Sequence, residues 1–146
     1  MVTCVGNTTV IPQYLPHTIT SLVIVHKEVQ KLGPSSFARY DKLERIYLQG
    51  NPIEIIEEDA FVGLRRVRTL NLTNLKLKKI KSGAFRGMSS LSRLYLQGNE
   101  KLVRLPLDIF DPINLQFLSP PWMLDAFSWD NLHYYVHGWD SQVPYR

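Results

Sequence analysis

"LERIYLQGNPIEIIEEDAFVGL", residues 43–64, is followed by "VRTLNLTNLKLKKIKSGAFRGM", residues 67–88. Slid by 24 residues, Leu43, Ile46, Leu48, Ile53, Ile56, Phe61 and Leu64 fall on Val67, Leu70, Leu72, Leu77, Ile80, Phe85 and Met88. A backward slide gives Ile19, Leu22, Ile24, Val29, Leu32, Phe37 and Tyr40. A forward slide gives Leu91, Leu94 and Leu96, then Leu102, Leu105, Phe110 and Ile113 after a one-residue insertion near Glu100, with Leu115 and Leu118 beyond. Apolar residues at fixed offsets in consecutive units describe a solenoid, in which each unit buries its hydrophobic face only against its neighbours.

The spacing L-x-x-L-x-L-x-x-N-x-L-x-x-L-x-x-x-x-F-x-x-L resembles the leucine-rich repeat in its 24-residue extracellular form, over roughly residues 10 to 122. The segments "EDAFVGL" and "SGAFRGM" are similar to those of Toll-like receptors, small proteoglycan cores, Slit proteins and variable lymphocyte receptors. The resemblance implies an α/β, right-handed leucine-rich-repeat solenoid. A short parallel sheet would line the concave face, with loops and short helices on the convex face. It also implies a binding module without catalysis, extracellular or at the cell surface, that takes a protein or glycan ligand.

Resemblance extends to the flanks. "VTCVGNTTVIPQYLPHTITSLVI", residues 2–24, is similar to the last part of an N-terminal flanking cap, with Cys4 matching its final cysteine. Its partners would lie upstream of Met1, which reads as a fragment; the alternative is a free Cys4. Pro121, Trp122 and Asp125 match the opening of a C-terminal cap, but Leu124 and Ala126 stand where its two cysteines belong. Apolar residues at helical spacing (Leu132, Tyr135, Val136, Trp139) predict a cap helix over 130–139. Closure there is expected from Trp122, Phe127, Trp129 and Trp139. The chain thus divides into a partial N-terminal cap (1–18), four repeats (19–114), and a divergent last turn with a cysteine-less cap (115–146).

Composition narrows the function. Seventeen Lys and Arg against thirteen Asp and Glu leave a net charge of +4, too diffuse for a nucleic-acid partner. No apolar run predicts a membrane span, and "MVTCVGNTTV" has neither the basic nor the apolar region of a signal peptide. A single cysteine, taken alone, reads as a reduced, intracellular chain. An intracellular scaffold is therefore one alternative, and a structural or self-assembling matrix protein, pairing through uncapped ends, is another. His133 and His137 sit four apart but lack the Glu of a metal-binding helix and a third ligand, so neither a metal nor a cofactor is expected. Gly50 and Gly98 belong to a repeated "LQGN" bend and not to a phosphate loop, and no catalytic constellation stands out.

Strand side chains alternate faces, so the leucines point inward and the residues between them outward. The outward set is Ser21, Val23, Val25; Arg45, Tyr47, Gln49; Thr69, Asn71, Thr73; and Arg93, Tyr95, Gln97, with Phe117 and Ser119 on a fifth strand. Arg, Tyr and Gln recur on turns two and four, and Tyr and Arg are enriched at binding hot spots. The predicted ligand contacts are Arg45, Tyr47, Gln49, Thr69, Asn71, Thr73, Arg93, Tyr95 and Gln97. Asn7 and Asn71 open glycosylation sequons. Arg65, Arg66, Arg68, Lys76, Lys78, Lys79 and Lys81 concentrate positive charge in turn three, which Glu54, Glu57, Glu58 and Asp59 of turn two are expected to neutralise. The bend asparagine is present at Asn51 and Asn99 but replaced by Lys27 and Leu75, so turn three is expected to be irregular unless Asn74 substitutes.

Without cap disulfides, each worth ~2–5 kcal/mol in small secreted domains, fraying should start at both ends. Hydrogen exchange is expected to leave turns two to four best protected; terminal strands exchanging last would contradict this.

Overall fold

In the computed structural model, residues 1–3, 7–110, 113, 115–119, 121 and 127–128 are described. Cys4, the side chains of Trp122, Phe127, Trp129 and Trp139, and the expected helix over 130–139 with His133 and His137 lie outside them.

The repeating aliphatic residues stack as adjacent rungs. Strands β1 (Val2–Thr3), β2 (Ser21–Val23), β3 (Arg45–Tyr47), β5 (Thr69–Asn71), β7 (Arg93–Tyr95), β8 (Phe117–Ser119) and β9 (Phe127–Ser128) form one sheet in that order. Strands β4 (Ile55–Ile56) and β6 (Lys79–Ile80) form a second, parallel sheet on the return side. From β2 to β8 the register keeps the repeat: Leu22, Ile46, Leu70, Leu94 and Leu118 lie side by side. All five are 0–1% exposed, as are Leu48, Leu72 and Leu96. This is the solenoid that the repeat predicts, with the parallel sheet that the resemblance implies. On the return side Phe37, Phe61 and Phe85 stack with centroids 5.5 and 5.6 Å apart, each such pair contributing ~0.5–1.5 kcal/mol beyond its buried area. The fourth turn departs from the expected alignment. Ile109, in the 3-10 helix Leu107–Phe110, takes the buried place, and Phe110 is only half-buried.

The insertion in turn four also ends the second sheet. Lys81 N–H donates to the Ile56 carbonyl at 3.0 Å. Pro106 stands at the corresponding place one turn later, and it has no N–H to donate to Ile80.

The main sheet extends one strand beyond the repeats at each end, with β1 and β9 as its outermost strands. β1 covers β2, with Val2 opposite Leu22, and β9 runs antiparallel to β8. The segment after β1 is anchored as well. Ile11, Leu15 and Ile19 join the core, the buried Tyr40 hydroxyl donates to the Pro12 carbonyl, and Gln13 Nε2 donates to the Ser36 carbonyl at 3.0 Å.

Turn three is regular despite Leu75. Asn51 Nδ2 donates to the carbonyls of both Ile24 and Leu48 (2.7 Å each), while its Oδ1 accepts from Val29 N–H at 3.2 Å. Asn99 repeats the arrangement with Leu72 (2.9 Å), Leu96 (2.7 Å) and Leu77 N–H (3.3 Å). One asparagine thus serves its own turn and the preceding one, so the bend of turn three is held by Asn99. Asn74 does not substitute: it is exposed, and Leu75 is buried instead. Asn74 has another place in the same alternation. The left-handed bend position is filled in successive turns by His26 (φ 51°), Gly50 (76°), Asn74 (52°) and Gly98 (76°). A Cβ on Gly98 would meet Asn74 Oδ1 at 1.9 Å, and one on Gly50 would meet the His26 ring at 2.2 Å. The side chain of each odd turn lies across the glycine of the next.

Asn99→Ala strips buried carbonyls and an N–H of their partners, at ~1–3 kcal/mol for each group left unsatisfied. Urea unfolding is expected to show a loss of at least ~2 kcal/mol, whereas Leu75→Asn should bring no gain. A neutral Asn99→Ala would refute the bridging role.

Candidate ligand-binding face

The outward residues of the main sheet follow from strand alternation. Arg45, Thr69 and Arg93 stand side by side in register, as do Tyr47, Asn71 and Tyr95. Tyr47 and Tyr95 are therefore two strand spacings apart, about 10 Å. Arg45 and Arg93 are exposed; Tyr47, Gln49, Thr69, Asn71, Tyr95 and Gln97 are half-buried.

Equivalent positions have different surroundings in the two halves of the sheet. At the N-terminal half a groove of ≈ 680 Å³ is lined by Arg45, Tyr47 and Gln49 on one side and by Met1, Thr3, Ser21, Val23 and Val25 on the other. Val23 and Val25 make part of its lining apolar, and Arg45, Tyr47 and Gln49 bring polar ends from turn two. Gln49 Oε1 is enclosed and has no hydrogen-bond donor among the described residues. At the C-terminal half the Tyr95 ring packs on Phe117, with centroids 4.9 Å apart and planes at 44°. Tyr95 thus presents a preformed aromatic pair, and Tyr47 an open wall.

One expected contact is withdrawn from solvent, and another is tied to the backbone. Thr73 is 9% exposed, a short side chain flanked in register by the longer Gln49 and Gln97, so it is corrected from a contact to a spacer. Asn71 Oδ1 accepts from Thr73 N–H at 3.0 Å, which ties the second sequon into the sheet. Ser21 is also buried. Asn7 of the first sequon is exposed. Met1 and Thr3 had no sequence signal, because β1 pairs out of step with the repeat.

Charge divides between the two sides of the solenoid. On the return side Lys78 pairs with Glu54 (3.0 Å), Lys81 with Glu57, and Arg86 with Glu58 (3.0 Å) and Asp59 (2.9 Å). The acidic turn two neutralises that part of turn three, as its sequence implies. Arg65, Arg66 and Arg68, which lead into β5, are exposed and make no ion pair among the described residues. The hydrogen bond from the Lys81 ammonium holds the Glu57 carboxyl below its ordinary value of 4.5; desolvation opposes this, and the charges of Lys81, Lys31 and Lys79 reinforce it.

Among the described residues no group of three or more His, Cys, Asp or Glu could hold a metal, and no helix is long and apolar enough to cross a membrane. The family model of the leucine rich repeat matches residues 17–75 and again 65–119. The chain belongs to the leucine-rich repeat family. Leucine-rich repeats use their extended concave faces to bind partners. Asporin of Bos taurus is 36% identical over 70 residues, covering 48% of this chain and 19% of asporin. Toll-like receptor 13 of Mus musculus is 38% identical over 64 residues, covering 44% of this chain and 6% of the receptor. Each match thus spans a minor part of the relative.

Glu57 has its folded-state value below its unfolded one, so its pair contributes stability at neutral pH that disappears as pH falls from the ordinary carboxylate range through the folded value. Glu57→Gln is expected to flatten the acid limb of stability below about pH 4.5 and leave the slope near neutrality unchanged. Urea midpoints measured across that range check this; an unchanged acid limb would remove Glu57 from the account.

Proposed function

We propose that this chain is a non-enzymatic recognition module that binds a protein or glycan ligand across its main sheet, as part of a secreted or cell-surface, receptor-like protein. The observation that carries the reading is the groove at β2 and β3. It brings together Val23, Val25, the Tyr47 ring and the Arg45 guanidinium. Interfaces bind through a few large amphipathic side chains set in apolar surroundings. Here Tyr47 supplies area and Arg45 a directional charge, with the Gln49 side chain beside them. Arg93, Tyr95 and Gln97 extend the same chemistry, with Thr69 and Asn71 between. The 24-residue repeats support an extracellular or cell-surface location, and exposed Asn7 is the better placed of the two glycosylation sites.

Against a partner captured on the immobilised chain, Tyr47→Ala combined with Tyr95→Ala is expected to weaken binding by at least about tenfold. Lys79→Ala, on the return side, should leave it unchanged. Undiminished binding by the double variant would overturn the reading.

A further inference from the structure

Arg68, Ser90, Ser92, Arg93 and Gln116 line a cavity of ≈ 350 Å³ where the chain enters β5, β7 and β8. These side chains include two guanidiniums, two hydroxyls and a carboxamide, with no carboxylate among the described lining residues. The backbone acceptors at this entry are already occupied. The Arg68 carbonyl accepts from Ser92 N–H (3.0 Å), Arg93 N–H (2.9 Å) and the Ser92 hydroxyl (3.2 Å). The Ser92 carbonyl accepts from the N–H groups of Gln116 (2.8 Å) and Phe117 (3.0 Å). What remains to face a ligand is chiefly donors. Neither Arg68 nor Arg93 forms an ion pair among the described residues, and both are exposed.

The turn before makes the contrast. There Glu44 occupies the place of Arg68, its carbonyl accepting from Arg68 N–H at 2.8 Å and Thr69 N–H at 3.3 Å. The backbone repeats, but a carboxylate side chain stands at that entry. A paired-arginine, carboxylate-free lining is therefore particular to turns three and four among the described residues.

We propose that this cavity is an oxyanion site, taking a tetrahedral sulfate or phosphate group between the guanidiniums of Arg68 and Arg93. Planar guanidiniums meet such oxygens with paired, charge-assisted hydrogen bonds, and Ser90 and Gln116 supply neutral donors to the remaining oxygens. The site lies apart from the groove at β2 and β3 and shares only Arg93 with the proposed contact face. It does not need the ligand of that face to bind there.

The test uses the full chain and follows the arginine Nε–Hε resonances during titration with inorganic sulfate, inorganic phosphate and a heparin-derived sulfated tetrasaccharide. Saturable shifts at Arg68 and Arg93 are expected, weakening as salt is raised. Arg68→Gln should lower affinity by about tenfold, with backbone amide resonances elsewhere reporting an intact fold; Lys101→Gln and Tyr47→Ala should leave it unchanged. Much tighter binding of the tetrasaccharide would assign the group to a sulfate ester on a saccharide; equal binding of the inorganic ions would assign it to a free anion. No shift with any of the three probes overturns the proposal. So does an equal loss in Arg68→Gln and Lys101→Gln, which would reduce the effect to general positive charge.

Discussion

Buried backbone carbonyls at the bends are the constraint on which this solenoid depends. A stack of rungs has no central core, and each bend turns polar backbone inward, where no water reaches it. Asn51 and Asn99 answer this with three hydrogen bonds each, reaching two successive turns. One carboxamide spans two turns, so Asn99 also holds the bend of the turn before it. Leu75 can then add apolar area at a position that the repeat motif reserves for asparagine. Packing of the leucines and stacking of Phe37, Phe61 and Phe85 add strength to a frame whose geometry the asparagines settle.

That frame sorts the surface. On the return side successive turns carry opposite charge and pair across rungs, through Lys78 with Glu54 and Arg86 with Glu58 and Asp59. Exposed pairs of this kind contribute little stability individually; their effect is to cancel charge on that side. Among the described residues the strand side keeps Arg45, Arg68 and Arg93 out of ion pairs, with Tyr47 and Tyr95 in the neighbouring row. Side chains capable of directional contact thus stand on the face where strand alternation leaves them free, while part of the charge on the opposite face is paired.

Much of this was legible in the residues. Leu48, Leu72 and Leu96 occupy equivalent rungs because every turn must bury the same positions, and a repeated requirement leaves a repeated letter. Arg45, Tyr47, Arg93 and Tyr95 were legible for the same reason. Features outside the repeat were not. β1 and β9 pair out of step or antiparallel, so no spacing announces them. The burial of Thr73 depends on its neighbours in register and not on its own chemistry. The regularity of turn three could not be read from Leu75 alone, because its bend is satisfied from the following turn. Pro106 carried a readable signal, a missing N–H, whose meaning emerges only beside the ladder that it ends.

The alternation of His26, Gly50, Asn74 and Gly98 has a bearing on how such a chain can change length. A bulky bend residue needs a bare neighbour on its far side, and a bend without asparagine needs one that has it. Odd and even coils are therefore not interchangeable parts. Gain or loss of a single coil would bring like against like somewhere along the stack, whereas duplication or excision by twos preserves parity. In these four coils the stacking unit is the doublet.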